Sequence, residues 1–132
     1  MAIEISWDNE EKTVVCLKLL DGWSWKELYE GNQQIVEMMT LVNHPVHLLI
    51  DHTSNAALPT NGIITHARNI LGAYPANCDL RVIVTPSMLA LRMVSAFQMT
   101  FKTGLGKHVF SAKTREEAYR RFEKRSAEKL AS

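Results

Sequence analysis

Apolar and polar residues alternate in two segments near the start of the chain, residues 3–7 and 15–19. A period of two residues places the apolar side chains on one face of a strand. Between the two segments lies a polar stretch, residues 8–11, which suits a turn. The pattern therefore predicts an antiparallel β-hairpin at the start of the fold.

Segments with apolar residues at helical spacing then alternate with short apolar runs along the chain. Ser24 and Glu27 have the spacing of a capping box, which predicts the start of a helix, and Pro45 marks the point by which that helix has ended. Its buried stripe is expected to include Leu28 and Ile35. Three short apolar runs predict the remaining strands: 46–50, 80–84 and 109–110.

Three further helices are predicted from residues that can cap free backbone N–H groups. The candidate caps are Thr60 or Asn61, Thr85 followed by Pro86, and Thr114 paired with Glu117. The last of these helices is rich in charge, and we expect only Ala118, Phe122 and Leu130 to pack.

The predicted order of elements is β-β-α-β-α-β-α-β-α. Three consecutive βα units after a hairpin predict an α/β fold with a mixed, mainly parallel sheet and right-handed crossovers. The length of 132 residues fits one domain, and no repeat or linker divides residues 1–132.

Composition narrows the possible functions. The formal net charge is +1, and acidic and basic residues are interspersed, which argues against a nucleic-acid partner. No apolar run approaches the roughly 20 residues that span a bilayer. Cys16 and Cys78 lie far apart, so we expect two reduced thiols, no disulfide and a cytoplasmic protein.

Four segments along nearly the whole chain carry a family resemblance: WDNEEKTVVCLKLLDGWSWKELYE, HPVHLLIDHTS, RVIVTPSMLA and TREEAYRRF. Together they resemble the SpoIIAA-like branch of the STAS superfamily, small bacterial proteins that are mostly uncharacterised. The resemblance implies a SpoIIAA-like β/α superhelix and a regulatory, protein-binding role without a cofactor. The same superhelix also occurs in lipid-binding domains of the CRAL-TRIO type.

The segment 47–63 reads as a buried strand, a polar loop and the start of a helix. Open α/β sheets place binding sites outside the carboxyl ends of their strands, where such loops lie. We therefore expect a partner-binding loop that uses the following residues: Asp51, His52, Thr53, Ser54, Asn61 and Gly62.

The end of this loop is similar to the phosphorylated loop of anti-sigma-factor antagonists, which reads Asp-Ser-Ser-Gly-Leu. Here Gly62 and Ile63 match, and Thr60 keeps a hydroxyl, whereas Pro59 replaces the acid and Asn61 replaces the second serine. The resemblance implies that Thr60 is the best candidate for phosphorylation. Ser54 in the same loop is the second candidate. A threonine at this position also serves as a plain helix cap.

Metal binding and catalysis are both disfavoured by the positions of the candidate groups. Of the histidines, only His52 and His66 could approach Asp51, and their spacing matches no metal-ligand motif. Asp51, His52 and Ser54 include the residue types of a hydrolytic triad, but neighbours on an extended segment point in opposite directions. We expect Asp51 to accept hydrogen bonds from loop amides. The sequence therefore predicts neither a metal site nor an enzyme.

The third helix carries more apolar residues than one buried stripe requires. Its polar residues are confined to a narrow stripe that includes Arg92 and Ser95. Three interpretations remain open, namely core burial, self-association, or one wall of an apolar pocket. The residues assigned to self-association or an apolar ligand are Met88, Leu89, Met93, Phe97, Met99 and Phe101.

Two functions follow from these patterns. The leading hypothesis is a non-enzymatic STAS-like module that binds another protein and forms a homodimer. The alternative is a protein that holds an apolar or lipid ligand between the third helix and its neighbours.

Overall fold

Five strands form one sheet in the order in which they occur along the chain. The structure is a computed structural model that describes residues 2–131. The strands are β1 (Ile3–Trp7), β2 (Val14–Leu19), β3 (Val46–Asp51), β4 (Cys78–Val84) and β5 (Val109–Ala112). Strands β1 and β2 are antiparallel, and every other neighbouring pair is parallel. The predicted α/β class and mixed, mainly parallel sheet are confirmed.

Four α-helices connect and follow the strands in the predicted order of elements. They are α1 (Trp25–Thr40), α2 (Ile63–Leu71), α3 (Met88–Thr100) and α4 (Arg115–Ala131). A short 3-10 helix, Leu105–His108, precedes β5. None of the helices within residues 2–131 combines the length and apolarity needed to cross a membrane.

The two faces of the sheet have separate cores. Buried residues of α1, α2 and α3 share one cluster with one face of the strands, whereas Ala118 and Phe122 of α4 belong to the other cluster. Strand β2 shows the division, because Leu17 faces the first three helices and Cys16 faces α4. This placement follows from the sheet order, since crossovers of one hand that advance in one direction leave their helices on one face.

Sequential strand order has a consequence for the site. Doubly wound sheets form a binding crevice where the strand order reverses, and the sheet described within residues 2–131 has no such reversal. Besides the loops at the carboxyl ends of the strands, a ligand could lie between the helices and the sheet, or on the part of the second face that α4 leaves open. Helix α4 packs against β4 and β5, so the second face is least covered at β1 and β2.

In both predicted capping boxes, the N-cap side chain makes the expected hydrogen bond. The Oγ atom of Ser24 accepts a hydrogen bond from the backbone N–H of Glu27 at 3.2 Å. The Oγ1 atom of Thr114 accepts one from the N–H of Glu117 at 3.1 Å. Each bond satisfies one of the backbone donors that a helix N-terminus leaves free.

The predicted starts of α2 and α3 are wrong. Gly62, with φ +69°, precedes α2 and provides no side-chain cap, so neither Thr60 nor Asn61 is the N-cap. At α3 the cap is Ser87, whose Oγ accepts from the N–H of Ala90 at 3.1 Å. Thr85 is fully buried and instead binds the N–H of Ser87 at 3.0 Å.

One core residue of α4 was also predicted wrongly. Ala118 and Phe122 are buried as expected, but the side chain of Leu130 is 89% exposed. The buried positions of α4 end at Phe122, and the last turns of the helix continue into solvent.

Candidate binding site at the carboxyl end of strand β3

The side chains of Asp51, the last residue of β3, and of His52, which follows it, lie on opposite faces of the sheet. Asp51 turns towards α4, where its Oδ2 atom lies 3.1 Å from Nη1 of Arg115. His52 turns towards the first three helices, where its Nδ1 and Nε2 atoms each lie 2.7 Å from a partner, the Thr85 hydroxyl and the Ala56 carbonyl. The predicted divergence of these two side chains is confirmed, and the sheet separates them.

The first half of the loop is held by hydrogen bonds within the protein. The Oδ1 atom of Asp51 accepts from the N–H of Thr53 at 2.9 Å and from its hydroxyl at 2.6 Å, as predicted for a carboxylate at a strand end. The Ser54 hydroxyl donates to the carbonyl of Leu19 at 2.7 Å and accepts from the N–H of Ala56 at 3.3 Å. The hydroxyls of Thr53 and Ser54 are therefore already used to shape the loop.

The second half of the loop exposes its polar groups. Thr60, Asn61 and Gly62 are all exposed, and the backbone N–H groups at the start of α2 receive no side-chain cap. The loop approaches α1 just before this segment, where Trp25 Nε1 donates to the carbonyl of Pro59 at 2.9 Å. The predicted partner-binding loop therefore has an anchored half, in which the hydroxyls of Thr53 and Ser54 are hydrogen-bonded although both residues are exposed, and an exposed half, residues 60–62.

An aromatic cluster joins α1 to α2 beside the exposed half of the loop. The His66 ring stacks on Trp25 with centroids 4.9 Å apart, and its Nδ1 atom lies 2.8 Å from the hydroxyl of Tyr29. Asn69 donates to the same hydroxyl at 3.2 Å. His66 is therefore engaged with aromatic partners and not with Asp51.

The two histidines weighed as metal ligands, His52 and His66, contact other protein groups. Both ring nitrogens of His52 are hydrogen-bonded, and His66 stacks on α1. Within residues 2–131, no three His, Cys, Asp or Glu side chains are grouped so that they could hold a metal ion.

An apolar cavity of about 120 Å³ lies between the first three helices and the sheet. His52 lies in its wall, as do Ile63 and Ile64 of α2. Met93 and Phe97 of α3 also line it. Pockets for drug-sized ligands typically occupy roughly 300 Å³ or more, so this cavity could hold only a much smaller ligand.

The six apolar residues predicted to serve self-association or an apolar ligand lie on α3 or, for Phe101, directly after it, and they do not share one environment. Met93 and Phe97 line the cavity, and half-buried Phe101 packs on Phe97 with ring centroids 4.7 Å apart. The other three are exposed, by the following fractions: Met88 65%, Leu89 47% and Met99 78%. Part of the helix therefore contributes to an interior wall and part to the surface.

A polar pocket of about 280 Å³ lies on the second face, where α4 leaves β1 and β2 uncovered. Arg115 bridges the carboxylates of Asp8 and Asp51 there, and its Nη1 atom lies 3.8 Å from Sγ of Cys16. The Tyr119 hydroxyl also donates to Asp8. The spacing along the chain gave no indication that these groups meet, although a basic residue in the first turn of a helix is itself unusual.

The charges and burial around Cys16 make its thiol a poor nucleophile. Burial raises the pKa of the Cys16 thiol, and the neighbouring Arg115 only partly opposes this effect. A thiol with a raised pKa is a poor nucleophile at neutral pH. Burial alone would lower the pKa of Arg115, but its bonds to Cys16 and Asp8 raise it, so the guanidinium stays charged.

Comparisons with known proteins add no homologue. No protein-family model, no curated protein and no solved structure matches this chain.

Proposed function

We propose that this protein is a non-enzymatic, cytoplasmic regulatory module with a STAS-like, SpoIIAA-type superhelix, which recognises a protein partner through residues 60–62 and the start of α2. One observation carries the proposal. Thr60, Asn61 and Gly62 are exposed beside an uncapped helix N-terminus, whereas the other hydroxyls of the loop are bound internally.

Phosphorylation of Thr60 is the proposed means of regulation. A phosphate adds about −1.5 to −2 charges at neutral pH, and free N–H groups at a helix N-terminus attract anions. Thr60 lies two residues before Gly62, and its carbonyl already accepts from the N–H of Ile63 at 3.2 Å. The added charge and bulk would change the surface that the partner contacts.

Ser54 is the weaker candidate for the same modification. Its hydroxyl bonds to the carbonyl of Leu19, 35 residues earlier in the chain. Phosphorylation there would remove this hydrogen-bond donor and disturb the anchored half of the loop. We therefore expect modification at Ser54 to affect folding as well as binding.

The test begins with protein isolated from its own host. A photo-crosslinking residue at Asn61 identifies the contacting protein, and mass spectrometry measures phosphate on Thr60. Binding of the purified partner is then compared for the wild type, Thr60→Glu and the control Thr103→Glu, which alters an exposed threonine outside the loop. We expect Thr60→Glu alone to weaken binding, by about tenfold. Equal binding by all three proteins, with Thr60 never modified, would contradict the proposal.

A second candidate function is the binding of an apolar molecule in the cavity, whose volume of about 120 Å³ lies below the roughly 300 Å³ of typical ligand pockets and so counts against a lipid and leaves room for a small molecule only. The cavity lies where the alternative hypothesis placed an apolar ligand, with Met93 and Phe97 of α3 in its wall. Native mass spectrometry of protein from its own host is expected to show a retained small molecule. Ligand-free protein that also fails to take up small apolar compounds would refute this function.

A further inference from the structure

The polar pocket on the second face contains charges that are paired within the protein and charges that are not. Arg115 holds the carboxylates of Asp8 and Asp51. Glu4 and Lys18 also line the pocket, and their side chains have no hydrogen-bond or ion-pair partner within residues 2–131. One free carboxylate and one free ammonium group are therefore carried by side chains of the same pocket.

Strand register makes these two side chains neighbours on the second face. Cys16 of β2 faces α4, so Lys18, two positions later, points to the same face. Glu4 follows Ile3, which belongs to the core of the first face, so Glu4 points to the second face as well. The two residues are directly paired across β1 and β2, which places their β-carbons about 4.5–5.5 Å apart.

The charges of the pocket restrict the ligand that fits. Three acidic and two basic side chains line the pocket, which gives a formal net charge of −1. An anion would be repelled by this charge, and Arg115 is already bound to two carboxylates. An apolar molecule would remove water from the charged groups without replacing its hydrogen bonds. A suitable ligand therefore carries a positive group, together with an acceptor for Lys18.

The size of the pocket favours a small molecule. Its volume of about 280 Å³ is close to the roughly 300 Å³ at which typical small-molecule sites begin. Its innermost charged group, Asp51, is only 4% exposed, so the pocket reaches below the protein surface. A compact zwitterion has the required charges within this volume.

We propose that this pocket binds a free α-amino acid, whose ammonium group donates to the carboxylate of Glu4 and whose carboxylate accepts from the ammonium group of Lys18. Hydrogen bonds between charged groups are shorter and stronger than those between neutral ones. The hydroxyl of Ser6, another exposed residue of the pocket, supplies a further polar contact. The site is separate from the apolar cavity and from residues 60–62, so it depends on neither function proposed above.

A screen followed by matched probes tests the ligand class. The twenty amino acids of proteins are added singly to ¹⁵N-labelled protein, and NMR spectra record the backbone N–H signals of β1 and β2. The tightest binder is then compared with its decarboxylated amine and with its deaminated acid, which each lack one of the two charges. We expect the amino acid to shift the signals around Glu4 and Lys18, and each analogue to bind at least about tenfold more weakly.

Variants of the two free charges supply a second measurement. Glu4→Gln and Lys18→Met should each weaken binding by about tenfold. Glu10→Gln and Lys102→Met change exposed charges outside the pocket and should bind as the wild type does.

Three results would overturn the proposal. They are the absence of shifts with all twenty amino acids, equal binding of the amino acid and either analogue, and unchanged binding by both pocket variants. If a variant does not fold, the analogues still decide the question in the wild-type protein.

Discussion

The Nη1 atom of Arg115 lies 3.1 Å from Oδ2 of Asp51, so the first turn of α4 is tied to the carboxyl end of β3. The same guanidinium also binds Asp8, which directly follows β1. One side chain therefore connects three elements on the second face of the sheet. Because Asp51 also shapes the loop through Thr53, this connection helps to fix where the candidate site begins.

Asp51 is predicted to make the fold sensitive to acid. Burial opposes ionisation of its carboxyl, but hydrogen bonds from Thr53 and the charge of Arg115 hold its pKa below the ordinary value of 3.8. A carboxyl with a lowered pKa stabilises the fold above its unfolded pKa and loses that effect as pH falls through the folded pKa. Wild-type stability should therefore drop below about pH 4.

Urea denaturation between pH 2 and pH 7 measures this effect. We expect Asp51→Asn to be less stable than the wild type at pH 7, with a difference that narrows as the pH approaches 2. Asp21→Asn, which changes an exposed aspartate, serves as the control and should follow the wild-type curve. Parallel curves for Asp51→Asn and the wild type would rule out this role of Asp51.

His47 predicts a second pH dependence in a higher range. Its ring stacks on Phe122 with centroids 4.7 Å apart, and its Nδ1 accepts from the N–H of Leu80 at 3.2 Å. Burial lowers the pKa of His47 from 6.5 to about 4. Between these values the unfolded chain binds more protons than the folded one, so stability falls as the pH decreases from 6.5 to 4.

The loss should reach roughly 3 kcal/mol at most. An NMR titration is expected to give a pKa of about 4 for His47. In His47→Gln the change of unfolding free energy between pH 6.5 and pH 4 should shrink, whereas His44→Gln should keep it. An ordinary pKa for the His47 ring would disprove the prediction.

The sequence predicted the secondary structure well where local chemistry decides it, and less well where distant contacts do. The Ser24 capping box needs only residues within one helical turn, and its hydrogen bond to Glu27 is present. The start of α2 depends instead on the path of the loop, which Trp25 fixes through Pro59, 34 residues away. A glycine with positive φ then begins α2 two residues later than the cap preferences of Thr60 indicate.

At the candidate site, too, the sequence indicated local contacts and did not indicate distant ones. Asp51 was found from its place at the end of an apolar run, because strand ends need acceptors for loop amides. Its partner Arg115 lies 64 residues further along the chain, and only the order of the strands brings the two together. Away from this site, the buried Asp79 near the start of β4 accepts a hydrogen bond from Arg125 of α4 at 3.0 Å, and the sequence did not indicate this pair because the two residues are 46 positions apart.

Helix capping gives a direct comparison between two hydroxyls. Ser24→Ala removes the acceptor for the N–H of Glu27 and should lower the free energy of unfolding by about 1 kcal/mol. Thr60→Ala should change it by less than about 0.5 kcal/mol, because Thr60 is exposed and caps no helix. Thermal and urea denaturation measure both. A loss at Thr60 as large as that at Ser24 would restore Thr60 as the cap of α2.

The exposed methionines of α3 bear on self-association. Met88 and Met99 are 65% and 78% exposed, and eleven positions of an α-helix place them on the same side, about 16 Å apart. Arg92 lies between them and is also exposed. A dimer contact on this side of α3 would therefore join two exposed methionines with the charged Arg92 between them. Such a surface is typical of a dimer of moderate affinity and not of an obligate dimer.

We expect a concentration-dependent dimer that uses this side of α3. Replacing Met88 and Met99 together by lysine should weaken dimerisation by about tenfold or more, because the two added charges would face the partner copy. Leu130→Lys is the matched control, since it changes an apolar residue that is 89% exposed on α4. Light scattering during gel filtration over a range of concentrations gives the mass of each protein. A wild-type chain that stays monomeric throughout, or a double variant that dimerises as the wild type does, would exclude α3 as the contact.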